Sequence, residues 1–110
     1  MARKRKGRTQ VDPTPQAATP QPLRPAFQAR FKRDWKRQEK RGKDMAKLEA
    51  VMSALAERTP LEPSRRDHAL SGDWVGCREC HVEPDWLLVY EIAEGEIRFW
   101  ATGTHSDLFG

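Results

Sequence analysis

Phe27, Phe31 and Trp35 recur at four-residue steps, so the chain over about 27–41 predicts a helix with one apolar face. The other faces of that helix carry Arg30, Lys32, Arg33, Lys36, Arg37, Lys40 and Arg41. Gly42 breaks the pattern and suits a left-handed turn. Asp44 then offers a cap, and Met45, Leu48, Met52 and Leu55, with Val51 beside them, predict a second helix that Thr59-Pro60 ends. Residues 60–73 read as loop. Beyond them the period falls to two, which predicts strands over 74–82, 86–92 and 97–102, with Glu83-Pro84-Asp85 and Glu94-Gly95 as turns. In the middle strand Trp86, Leu88, Tyr90 and Ile92 share one face, and Leu87 and Val89 the other. A short strand near 23–27 precedes the helices, and 103–110 read as a short tail. The expected fold is α+β: an N-terminal helical hairpin packed on a small antiparallel β-sheet.

The chain has 110 residues, room for one small domain. Residues 1–22 are basic, then proline-rich, with almost no large apolar side chain, so they read as a disordered tail before a domain at 23–110. The longest apolar run, 86–89, has four residues, far short of the roughly 20 a membrane-spanning helix needs. No apolar stretch follows the basic N-terminus, so no secretory leader and no membrane partner are expected. With two cysteines, a reduced, cytoplasmic protein is the default. Charge is divided unevenly. Residues 1–58 carry 16 Lys/Arg against 6 Asp/Glu, and 59–110 carry 4 against 10. A half this basic points to a polyanion partner, either nucleic acid or an acidic protein.

Cys77-x-x-Cys80 has no second cysteine pair, and on a strand its two thiols point to opposite faces, so neither a metal nor a cofactor is expected. No glycine-rich phosphate loop is present. All three histidines, His68, His81 and His105, lie in the second half. A meander brings His81, at a strand end, beside Asp85, at the next strand's start, and the last strand can return His105 and Phe109 over the same surface. Imidazoles move protons near neutrality, a carboxylate orients them, and an aromatic ring stacks on a base. Beside a basic helix pair, such a set suits cleavage of RNA through its own 2′-hydroxyl.

The segments Arg66-Asp67-His68-Ala69-Leu70-Ser71-Gly72-Asp73-Trp74, His81-Val82-Glu83-Pro84-Asp85-Trp86-Leu87-Leu88-Val89-Tyr90 and Thr102-Gly103-Thr104-His105-Ser106-Asp107-Leu108-Phe109-Gly110 resemble the YafQ family, within the RelE/ParE superfamily of bacterial toxins. Lys32-Arg33-Asp34 and Arg41-Gly42-Lys43-Asp44-Met45 look like that family's first two helices, so the likeness covers about 23–110. The resemblance implies a type II toxin–antitoxin toxin, an endoribonuclease that cuts mRNA in the A site of the 70S ribosome without metal. It also implies a cognate antitoxin, DNA-binding and DinJ/RelB-like, so that DNA is met only through the antitoxin. By the same resemblance His68, His81, Asp85 and His105 are catalytic. His81 with Asp85 serves the 2′-hydroxyl, His105 the leaving oxygen, and His68 the phosphate. Trp86, Phe109 and Arg78 would bind substrate, and Arg30, Arg33, Lys36, Arg37, Lys40, Arg41 and Lys43 would face the ribosome.

One position departs. Where the family usually has arginine before Thr-Gly-Thr-His, this chain has Ala101. Losing such a cation lowers the rate by about 10²- to 10³-fold or more. Arg98, three residues back on the same strand, is expected to face the other side. A change at 101 is expected to be a surface change that spares the fold. The competing reading is a catalytically inactive toxin-fold protein that still engages antitoxin or ribosome. A ParE-like gyrase poison ranks last, since that branch is not expected to keep the histidines.

Overall fold

The computed structural model describes residues 21–110, so all but the last two residues of the expected tail lie outside the described residues. The elements are β1 (Arg24–Phe27), α1 (Ala29–Lys40), α2 (Met45–Ala56), β2 (His68–Ala69), β3 (Arg78–Glu83), β4 (Trp86–Ala93), β5 (Glu96–Gly103) and α3 (His105–Phe109). Among them the sheet order is β1-β5-β4-β3-β2. β3, β4 and β5 pair antiparallel as expected and β2 joins them antiparallel at the edge, while β1 runs parallel to β5 and makes the sheet mixed. Among the described residues no helix is long and apolar enough to cross a membrane.

Local chemistry accounts for these boundaries. Phe27 belongs to β1, opposite Phe99, and not to the helix. Its ring still stacks on Phe31 and Phe99, at 6.0 and 5.7 Å between centroids, so the four-residue step marks a real apolar contact made from a strand. Gly42, at φ 80°, makes the turn between helices, and Asp44 Oδ1 accepts the Ala46 N–H at 3.1 Å to cap α2. Glu94 and Gly95 both have positive φ (55° and 76°), as a two-residue type I′ hairpin requires. Three expectations change. The 60–73 loop contains 3₁₀ turns at Pro63–Arg65 and Gly72–Trp74 and the strand β2. The strand expected from residue 74 starts only at Arg78, because Trp74 closes a 3₁₀ turn and Gly76 is left-handed at φ 92°. The tail expected at 103–110 is α3, started by a capping box: Thr104 Oγ1 accepts the Asp107 N–H, and Asp107 Oδ2 accepts the Thr104 N–H.

Alternation on β4 divides two cores. Trp86, Leu88 and Tyr90 join Phe31, Leu48, Val51 and Leu55 of the helices, together with Ile97 and Phe99. Leu87 and Val89 face the other way, with Cys77, Ala101 and Leu108. A bulge reverses the alternation on β5. Val89 pairs with Ala101 but Tyr90 with Phe99, so Trp100 is the extra residue. Phe99 therefore faces the helices and Ala101 the opposite side.

Candidate active site

Strand register sets two rows on the face away from the helices. His68, Glu79, Val89 and Ala101 lie across from one another on β2, β3, β4 and β5. The next row is His81, Leu87 and Gly103. Glu79 and His81 share this face because they are two apart on β3. At its rim, α3 brings His105 to the turn between β3 and β4. Asp85 Oδ1 accepts the His105 backbone N–H at 2.9 Å and meets His105 Nδ1 at 2.5 Å. The backbone hydrogen bond, then the side-chain one, holds the Asp85 carboxyl below its usual range. With Nδ1–H on Asp85, His105 presents Nε2 as its reactive nitrogen. The His81 ring lies edge-on, 5.7 Å from the His105 ring.

Asp85 thus pairs with His105, where sequence adjacency had pointed to His81. The carboxylate nearest His81 is Glu79, with Oε1 3.8 Å from His81 Nε2 and 3.4 Å from His68 Nε2. Glu79 is 4% exposed and was not singled out from the sequence, although its place two residues before His81 puts it on the same face. His68 Nδ1 also lies 2.7 Å from the Arg66 carbonyl oxygen. With Nδ1 at that carbonyl and Nε2 towards Glu79, the His68 ring is held at this end of the row. A cavity of about 540 Å³ beside His81 is lined by Arg65, Arg66 and Glu83.

Several expected site residues sit elsewhere. Trp86 is fully buried in the helix-side core. Its Nε1–H bonds Thr102 Oγ1 at 3.0 Å and Lys43 Nζ covers the ring at 5.5 Å, so the ring is closed to a base. Arg78 faces the helix side and donates to Asp67 at 2.7 Å; the Tyr90 hydroxyl bonds the same carboxylate. Phe109 is 46% exposed and lines a cavity of about 450 Å³ with Leu70, Ser71 and Trp74. Ala101 is 0% exposed, not a surface position, because it belongs with Leu108 to the second apolar cluster, against which Trp74 and Trp100 pack. Arg98 shares the face of Ala101 through the bulge, contrary to simple alternation, but its guanidinium is held by Glu91, Glu94 and Glu96.

The basic helix surface also divides. Arg30 pairs with Asp34, Arg37 and Arg41 with Asp107, and Lys43 with Glu83. Among the described residues Lys32, Arg33, Lys36 and Lys40 are exposed without such a partner. Cys77 and Cys80 lie in opposite cores, as strand alternation requires, and both are free. Burial pushes the Cys80 thiol up to about 12, which makes it a packing group.

The comparisons with known proteins fit this geometry. The model of the family described as "Bacterial toxin of type II toxin-antitoxin system, YafQ" matches residues 23–110. The mRNA interferase toxin YafQ of Escherichia coli K12 is 45% identical over 85 residues, covering 76% of this chain and 92% of that protein. The toxin in the crystal structure of the E. coli DinJ–YafQ toxin–antitoxin complex superposes with a TM-score of 0.75 at 43% identity, covering 80% of this chain and 98% of that one. A metal-bound toxin from Helicobacter pylori does so at 0.74 and 39% identity, over 79% and 99%. On the match across the whole described domain, with the histidine segments inside it, the chain belongs to the YafQ family of bacterial type II toxin–antitoxin toxins.

Proposed function

We propose that this protein is an mRNA endonuclease toxin that cuts in the ribosomal A site through the RNA's own 2′-hydroxyl, without a metal, until an antitoxin blocks it. The single observation that carries the reading is the pair of imidazoles, His81 and His105, 5.7 Å apart, one of them fixed by Asp85. Family membership and the name mRNA interferase carried by the E. coli relative support the reaction class. The DinJ–YafQ complex supports an antitoxin partner, and the family resemblance is the ground for taking that antitoxin as DNA-binding.

The step needs a base, an acid and a cation. His81 takes the 2′-hydroxyl proton as the 2′-oxygen attacks phosphorus. The bond from phosphorus to the 5′-oxygen breaks, and His105, which enters this step with a proton on each nitrogen, gives its Nε2–H to that oxygen and keeps Nδ1–H on Asp85. The products are a 2′,3′-cyclic phosphate and a 5′-hydroxyl. His68 binds the phosphate or shares the acid–base work, and Phe109 offers an exposed ring for a base. Lys32, Arg33, Lys36 and Lys40 are exposed cations of α1 open to ribosomal RNA.

Ala101 favours a second reading, a toxin-fold protein that binds antitoxin or ribosome without cutting. Mapping mRNA 5′ ends after expression of the chain and of its Ala101→Arg form separates the two. Cuts at one position within the codon frame, with 5′-hydroxyl ends, support the nuclease. No cuts from either form establish the binding protein. Cutting abolished by chelation beyond loss of the ribosome's own magnesium contradicts the metal-free step.

A further inference from the structure

Two arginines of α1, Arg30 and Arg37, and its C-cap residue Arg41 converge on one residue of α3. Arg41 donates to both carboxylate oxygens of Asp107, Nη1 to Oδ2 at 2.6 Å and Nη2 to Oδ1 at 3.0 Å. Arg37 Nη1 lies 3.9 Å from Oδ1, and Arg30 Nη2 donates to the Asp107 carbonyl oxygen at 3.3 Å. Asp107 Oδ2 also accepts the Thr104 N–H at 2.8 Å, so one carboxylate caps α3 and ties it to α1. Gly103 makes room for this fold-back, since a Cβ there would lie 2.7 Å from Asp107 Oδ2. One turn earlier on α1, buried Asp34 accepts the Thr102 N–H at 3.1 Å and the Arg30 Nε–H at 3.3 Å. Helix α1 therefore grips the chain on both sides of His105.

The other contact of His105 cannot do this alone. Asp85 sits on an exposed turn, its side chain 64% accessible. A five-residue helix is too short to hold itself in water. We infer that the Arg41–Asp107 ion pair is a positioning device that docks α3 on α1 and so fixes His105 with Nδ1 on Asp85. A half-exposed ion pair adds little to stability by charge alone, but a bidentate fork fixes direction. Asp107, not singled out from the sequence, becomes a positioning residue. Arg41, expected to face the ribosome, serves the site from within. The inference rests on the reading of His105 as the proton donor.

Asp107→Asn keeps an oxygen for the Thr104 N–H and removes the charge. Arg41→Lys keeps charge without the fork, and Arg41→Met removes both. Each is made in the full chain and in its Ala101→Arg form. Two readouts are taken: the mRNA cleavage rate, and the His105 Nδ1–H proton resonance by NMR, which needs no activity. Asp107→Asn and Arg41→Met are expected to slow cutting by roughly 10- to 100-fold and to broaden the Nδ1–H signal. Arg41→Lys falls between, and the Asp107→Asn/Arg41→Met double variant is no slower than either single. Wild-type cutting with a sharp Nδ1–H signal in Asp107→Asn overturns the inference. So does slowed cutting with that signal unchanged and the melting temperature lowered, which would make the pair a merely stabilising contact. Full cutting by His105→Gln overturns instead the underlying reading of His105.

Discussion

The two faces of the sheet bury unequal amounts of apolar surface. The helix-covered face has twelve buried residues in its cluster and the opposite face five, so the first carries the stability of the fold. The second carries His68, His81 and buried Glu79, with His105 and Asp85 at its rim. On the dry face polar groups such as Trp86 Nε1–H and the Asp34 carboxylate are kept only in fixed hydrogen bonds, since an unpaired one carries a large desolvation penalty. The open face can hold imidazoles because its apolar floor is small and its polar groups answer one another. Fold and chemistry are thereby divided by the two-residue period of three strands.

That division is open to breaking from either side. His81→Gln and His105→Gln, in the Ala101→Arg form, are expected to lower mRNA cutting by about 10²- to 10⁴-fold while leaving the denaturant midpoint nearly unchanged. Primer extension on the cut message and a urea titration check the two halves. Trp86→Ala is expected to do the reverse and destabilise the fold by about 3–5 kcal/mol, because a fully buried ring and its bond to Thr102 are lost. Loss of cutting with an unchanged midpoint would instead return Trp86 to the substrate. Ala101→Arg crosses the boundary. It is expected to raise cutting by about 10²- to 10³-fold and to cost about 1–3 kcal/mol of stability, since position 101 is fully buried in the apolar cluster that includes Leu108. Cleavage assays beside thermal melts follow both changes.

The smallest expected effect comes from acid. Asp107 is held below its ordinary value of 3.8, first by the Arg41 guanidinium. A carboxylate depressed in the folded state binds more protons unfolded, so it supports the fold above that ordinary value and loses the support as pH falls towards its lower folded value. The melting temperature should therefore fall on acidification below about pH 4, and Asp107→Asn should flatten that fall.

The division into faces was legible where period two runs unbroken: Trp86, Leu88 and Tyr90 against Leu87 and Val89. It failed at Trp100, because a bulge adds one residue and no composition marks it. Arg98 and Ala101 were therefore assigned to opposite sides when they share one. Phe27 was read into α1 because a strand residue stacked over Phe31 satisfies the same four-residue step. Helix α3 is too short for periodicity to show, although Thr104 and Asp107 carry its start signal. The partner of Asp85 was misassigned for a related reason. Closeness in sequence favours His81, while tertiary docking of α3 delivers His105. The convergence of histidines and a carboxylate at one surface was legible; their pairing depended on an element that was not.

The most direct test of the catalytic claim is chemical. A ribosome-bound message carrying 2′-deoxyribose at the mapped cut, and ribose elsewhere, removes the proposed nucleophile and nothing of the protein. The account predicts no cutting at that position while the all-ribose message is cut to a 2′,3′-cyclic phosphate. Cutting of the deoxy message at the same bond would show that the attacking oxygen comes from elsewhere, and would contradict the roles given to His81 and His105.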